Sequence, residues 1–401
     1  MKSEATTLHF EKNIKAQVKD CYRAFTNQVA FEEWFCNTAE VDVALMSKLY
    51  LWWNSGYYMC GEFIKVDPEK EIVFSWLGKD DPGKTRVRIT FKTGKSATRV
   101  TVEHRGIKSS PRWSAAAQQI QHGWEVALEN LVSILETGRD LRLVNRPMLG
   151  ININEFSPEI AEKLAVPVTL GVRLVGVVDG MGAQICGLKK DDVLVEVAGI
   201  PMLGYTSLSA ILQGKKAGDK VEVTFYRGPE KITTTMELFP RPIPKIPATL
   251  GELAQTLEEM YTRSDQEVEH ILQNVSEIEA SFRPDAGEWN VREILAHLIH
   301  TERDLQFFIH KLVVNEDFFS PSNLQARIDA IVVIYPTITD LKLELKRAEA
   351  ETVAFIRSLP DEFASRKDRF WVLAYNLLQL NDHPLEHSQQ IKDTLDACRN
   401  R

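Results

Sequence analysis

Five of the nine histidines lie after residue 290: His297, His300, His310, His383 and His387. His383 and His387, within NDHPLEHSQQI, are four residues apart, so on one helix they share a face. Two neutral imidazoles so placed can hold one metal ion, and His297 on a second helix can complete a facial set of three. Three protein ligands leave positions open for water or substrate, which is the arrangement of catalytic rather than structural sites. The same spacing also suits two polar residues on a solvated helix face. His300 is the rival of His297, and as a solvent-facing residue it requires no ligand. Elsewhere no catalytic group declares itself. Glu103 and His104 fall at a strand end with nothing to make a dyad or triad, and the chain has no Gly-Asn-Ser-Gly-Gly-like nucleophile motif. Enzyme and binding protein are both open on these residues.

The elements that must position the histidines are helical. From Thr249 onward period-3.6 patterns predict helices over roughly 249–277, 290–313, 322–333, 337–358 and 370–398, a four-helix-bundle grammar with short loops. Asn290 as N-cap with Glu293 at N3 makes a capping box, and Trp289 before it can pack on Ile294 as a hydrophobic staple. Pro384 would kink a helix continuous from Trp371, but suits a helix that starts at Asp382 or His383.

The rest of the chain reads differently. Residues 6–140 are short strand-like runs (LHFEKNI, KLYLWW, GEFIKV, EIVFSWLG, TRVRITFK, TRVTVEHR) parted by turns such as KDDPGK. A helix follows from Ser114 to Glu136, with Ile120, Trp124, Leu128, Leu131, Ile134 and Leu135 on one stripe, stopped at Gly138. Residues 147–239 return to short strands and tight turns. In Phe239–Pro247 prolines at 240, 242, 244 and 247 remove backbone donors and favour a semi-rigid extended spacer. The expected domains are therefore 1–140, 146–240 and 249–401, with 241–248 as linker.

Composition excludes several classes. A length of 401 residues favours two to four domains, and 44% hydrophobic with 26% charged residues is ordinary globular protein. A net charge of −8 does not recommend a nucleic-acid partner. Five scattered cysteines without a Cys-x-x-Cys arrangement fit a reducing compartment. The opening MKSEATTLHFEKNIKAQVKD lacks the apolar core of a signal peptide and no apolar run reaches spanning length, so the cytoplasm is the expected location.

Three resemblances add to this reading. WNVREILAHLIHTERDL (Trp289–Leu305) and NDHPLEHSQQI resemble the DinB/YfiT-like superfamily, an all-α up-down bundle. The resemblance covers residues 249–398 and implies that His297, His383 and His387 hold a divalent transition metal, zinc or nickel suiting such nitrogen ligands. It also implies, as the alternative function, metal-dependent thiol S-transfer or hydrolysis. RPMLGINI, GAQICGLKKDDVLVEVAGIPM and KAGDKVEVTFYRG resemble the PDZ domains of HtrA-type proteases, a β-sandwich-like fold. This implies a groove for peptide or protein C-termini, with Leu149, Gly150 and Ile151 facing the terminal carboxylate, Ile151, Asn152 and Ile153 pairing with the peptide, and Leu208 and Leu212 closing it. Asp191 stands where that family usually has glycine. FTNQVAFEEWF, GYYMCGEFIKVDPEKEIVFSW and HGWEVALENLVSILETG resemble the helix-grip (SRPBCC) proteins related to the Hsp90 ATPase activator, a curved antiparallel sheet over one long C-terminal helix. The aromatic density there suggests an apolar-ligand cavity lined by Trp34, Tyr58, Trp76, Trp113 and Trp124, although such rings also simply fill a core. The whole is a multidomain α+β protein that binds metal and peptide.

Overall fold

The computed structural model describes residues 5–154, 156–212, 214–285, 288–314, 324–379 and 382–400. The chain divides into two compact units, Met1–Ile243 and Pro244–Arg401, parted inside the proline-rich stretch.

In the first unit, β1 (Ala5–Ile14), β2 (Thr38–Val41), β3 (Lys48–Trp52), β4 (Tyr58–Asp67), β5 (Glu71–Gly78), β6 (Thr85–Thr93) and β7 (Thr98–Lys108) form one antiparallel sheet, ordered β1-β7-β6-β5-β4-β3-β2. Between β1 and β2 run the short helices α1 (Val18–Arg23) and α2 (Gln28–Trp34), and α3 (Pro111–Thr137) packs against the sheet. Ile120, Trp124, Leu128, Leu131 and Ile134 are the buried stripe of α3. Gly138 ends it with φ of 80°, a left-handed residue that only glycine adopts without cost. α4 (Leu141–Val144) follows. This is the helix-grip arrangement. The sequence pattern showed neither β2 nor the two short helices, because four to seven residues are too few to display a period.

A second sheet holds β8 (Ile151–Asn154), β9 (Val172–Val177), β10 (Val193–Val197), β11 (Ile200–Pro201), β12 (Lys220–Arg227) and β13 (Glu230–Glu237), in the order β13-β12-β10-β9-β8 with β11 on β10. The helices α5 (Pro158–Lys163), α6 (Gly182–Ile185) and α7 (Tyr205–Leu212) lie between strands. A core of Leu174, Leu194, Val197, Val223, Met202 and Met236 is wholly buried. Asp191 has a left-handed backbone, at φ of 70°, and its carboxylate is held by Arg173 at 2.6–2.8 Å.

The second unit is helical: α8 (Leu250–Ile271), α9 (Glu277–Ser281), α10 (Val291–Val314), α11 (Leu324–Ile334), α12 (Ile338–Arg357), α13 (Asp361–Ser365), α14 (Lys367–Gln379) and α15 (Asp382–Arg399). Two differences from the sequence pattern matter. The first predicted helix stops at Ile271 instead of 277, with α9 as a separate capped turn, and the last divides into α14 and α15. Pro384 is the third residue of α15, and residues 380–381 before that helix lie outside the described residues. The expected start at 322 lies outside the described residues. No described helix is long and apolar enough to cross a membrane.

Candidate metal centre and peptide groove

The rotation of α10 is fixed at its start. The Asn290 side chain accepts from the Glu293 N–H at 3.0 Å, while Glu293 accepts from the Asn290 N–H at 2.8 Å. Glu293 is further tied to Arg283. Two turns on, His297 lies beside Trp289, its ring tilted at 37° with centroids 4.9 Å apart. From α15, His383 and His387 face it. The His297 and His383 Nε2 atoms are 3.3 Å apart, those of His383 and His387 are 3.1 Å apart, and one ligand nitrogen from each ring lies within 4.8 Å of the other two. Four-coordinate zinc with bonds of ~2.0–2.1 Å separates neighbouring nitrogens by roughly 3.3 Å, close to the first two spacings.

The surroundings suit an ion. The Oε1 atom of Gln390 is 2.8 Å from Nδ1 of His387. An amide oxygen only accepts, so Nδ1 carries the proton and Nε2 presents its lone pair. Burial, then the neighbouring imidazoles, depress the basicity of His297 to about 3, and the same two causes depress His383 to about 4. All three rings are thus neutral, as a ligand must be. His300 belongs elsewhere. It is not solvent-facing as expected but 4% exposed, with Nε2 3.4 Å from a carboxylate oxygen of Asp304.

A small cavity of about 170 Å³ opens beside the histidines, and His383 and Pro384 form part of its wall. Leu257, Leu298, Leu305, Leu345 and Leu377 line it, as do Tyr261, Asp265, Glu302 and Glu349. Gln390 and these carboxyls were not singled out from sequence. A signal existed for two of them: Glu302 and Glu349 sit on otherwise apolar helix faces, where Leu298, Leu345 and Val353 are buried and Leu305 is half-buried.

In the second sheet β8 is an edge strand, paired on one side with β9. Gly150 just before it has φ of 78°, and a Cβ there would meet Met181 Cβ at 2.4 Å. Leu149, Ile153 and Leu212 are buried in the core below, while Ile151 and Leu208 pack on it half-buried and Asn152 is exposed.

The aromatic residues of the first sheet are only partly brought together. Phe35 stacks between Trp34 and Trp124 at 4.7 and 5.1 Å, and Trp76 lies 5.9 Å from Trp124. Trp113 is buried in the same core. Tyr58 stands apart, 40% exposed and 6.2 Å from Tyr50. His104, far from being an idle residue at a strand end, is fully buried inside β7. The Trp124 indole N–H donates to its Nδ1 at 3.1 Å, so Nε2 carries the proton and donates to Thr85 Oγ1 at 2.7 Å. That hydroxyl donates in turn to the Trp76 carbonyl at 3.1 Å.

Comparison with known proteins agrees with a composite chain. Residues 15–136 match the family model of the Activator of Hsp90 ATPase homolog 1-like protein, and residues 260–391 match that of the DinB superfamily. Among curated proteins, the serine protease Do-like HtrA of Lactococcus lactis subsp. cremoris is 32% identical over 114 residues, 27% of this chain and 27% of that protein. A probable periplasmic serine endoprotease DegP-like protein of Rickettsia conorii is 24% identical over 196 residues, 43% of this chain and 39% of that one. The chain thus spans well under half the length of these relatives. Similar solved structures include protein MLL2253 from Mesorhizobium loti (22% identity, TM-score 0.30, 32% of this chain and 96% of that one). The Aha1 dimer from Colwellia psychrerythraea is another (19% identity, TM-score 0.29, 33% and 96%). The chain combines a segment like the Hsp90 ATPase activator, an HtrA-like PDZ-type middle region and a DinB-type helical segment.

Proposed function

We propose that the chain is a three-module metal- and peptide-binding protein, with modules at 1–140, 146–240 and 249–401 joined after the second by the linker 241–248. In the last module His297, His383 and His387 hold one divalent transition metal through their Nε2 atoms. The observation that carries this reading is the convergence of those nitrogens, with Gln390 turning the His387 lone pair toward the other two. Members of the DinB superfamily are generally metal-binding, which supports it further. An all-nitrogen donor set favours zinc or nickel over calcium or magnesium. Alanine at any of the three should lower metal content and the melting temperature gained from added zinc together, since the ion binds only the folded form. Alanine at His300 should cost stability by removing a buried side chain, and leave metal content unchanged. Protein purified without chelator that carries no metal, and gains nothing from zinc or nickel, ends the reading.

The middle module captures free peptide C-termini ending in an apolar residue, supported by the edge strand β8 and the glycine at 150. Affinity should be micromolar, or roughly −8 kcal/mol. Amidating the peptide C-terminus should weaken binding at least tenfold, as measured by fluorescence anisotropy; equal binding of acid and amide counts against the groove. In the first module an apolar ligand would have to part rings that already touch one another, and a shift of tryptophan emission on adding an apolar probe tests for it. Five unpaired cysteines support a reducing, cytoplasmic setting.

A second reading, metal-dependent thiol transfer or hydrolysis, draws on the cavity beside His383. A divalent ion there supplies Lewis acidity, lowering the pKa of water or a thiol at its open position. The residues around it exclude bulk solvent and hold a substrate near the histidines.

A further inference from the structure

The cavity beside His383 has a wall of unusual composition for the inside of a helical bundle. Six of its seventeen lining residues are leucine, but three carboxyl groups from three helices face it: Asp265 of α8, Glu302 of α10 and Glu349 of α12. Glu302 and Glu349 are 7% and 6% exposed. Tyr261 donates its hydroxyl to Glu302 at 2.7 Å, and Thr352 donates to the same oxygen at 3.0 Å. Asp265 and Glu349 line the same opening from α8 and α12. The charged groups of opposite sign nearby, Arg263 and Lys346, are exposed. Buried carboxyls are costly unless paired or neutral, and a well-packed bundle loses stability by keeping three of them around an opening. Burial and mutual repulsion push Glu349 up to about 9, and burial raises Asp265 and Glu302 as well. The group of charge complementary to this wall is a compact cation with several donors.

We infer that this cavity is the substrate pocket of the three-histidine centre and that it takes a small primary amine, its ammonium group between Asp265, Glu349 and Glu302 and its short apolar body against the leucines, toward His383. An ammonium offers three donors to three carboxyl groups on separate helices, and each bond is charge-assisted. Burial raises the Glu349 carboxyl to about 9, so it holds its proton at neutral pH, and seating an ammonium against it should release about one proton. This extends the metal-centre reading, because the pocket gains a reacting group only if the histidines hold an ion; amine binding itself does not depend on that.

The test is calorimetric titration of the full chain with n-butylammonium, and with 1-butanol as the uncharged analogue of similar size. The expected result is saturable binding of the amine, at least tenfold weaker butanol binding, and proton release seen as a dependence of the heat on buffer ionisation enthalpy. Glu349→Gln keeps the size but cannot ionise, and should weaken the amine at least tenfold while the melting temperature holds or rises. Equal binding of amine and butanol overturns the inference, and so does an amine affinity unchanged in Glu349→Gln, or stabilisation by calcium or magnesium with none by amine. His297→Ala separates the two readings. Amine binding retained in that variant, with zinc binding lost, supports both. Amine binding in a protein that takes up no zinc sinks the metal centre alone, whereas zinc uptake without amine binding sinks the pocket alone.

Discussion

At the scale of residues, the buried polar groups of this protein are specified with little freedom. His104 shows it best: one indole, one hydroxyl and one carbonyl fix both its tautomer and its neutrality. Burial holds its basicity down at about 4, from an ordinary 6.5. The unfolded chain therefore binds a proton below 6.5 that the folded one refuses until pH 4, so stability present at neutral pH is lost as pH falls through that window. The loss approaches about 3 kcal/mol for one group shifted this far. Denaturant midpoints followed by tryptophan emission should fall between pH 6.5 and 4. His104→Gln should be less stable at pH 7, because it forfeits part of the network, yet show a shallower slope in that range. An unchanged slope would mean that other groups dominate the acid transition.

At the scale of elements, glycine and turn chemistry decide what local pattern cannot. Gly150 is required twice, by its left-handed backbone and by the approach of Met181. Gly150→Ala should cost about 1 kcal/mol from the backbone alone, with more from the displaced Met181. It should also weaken C-terminal peptides through the altered loop, which a melting curve and a peptide titration measure together. Much of this level was legible in the sequence. The capping box at Asn290 and Glu293 reports hydrogen bonds three residues apart, and the stop at Gly138 is equally local. Contacts across the chain were not legible. Asp304, four residues after His300, marks a neighbour on the helix but not the burial of that face, and the cavity carboxyls become neighbours only when three helices are assembled. The three histidines were readable because a four-residue spacing and a known motif both pointed at them.

At the scale of the whole molecule, the division at Ile243 and Pro244 separates the candidate metal centre from the peptide groove. Zinc should therefore raise the melting of the helical unit and leave that of the first unit where it was, which differential scanning calorimetry of the full chain resolves. A shift of both transitions would reveal coupling between the units. The position of the histidines in the chain carries a separate consequence. His297 and His383 are 86 residues apart, and α11 through α14 run between them. An ion gripping both would act as a removable staple closing that long loop. A permanent link of this span takes about 4–5 kcal/mol of chain entropy from the unfolded ensemble, so a reversible one makes the durability of the bundle a function of metal supply. Its signature is kinetic: if the staple closes after the folding barrier, zinc slows unfolding and leaves the refolding rate untouched.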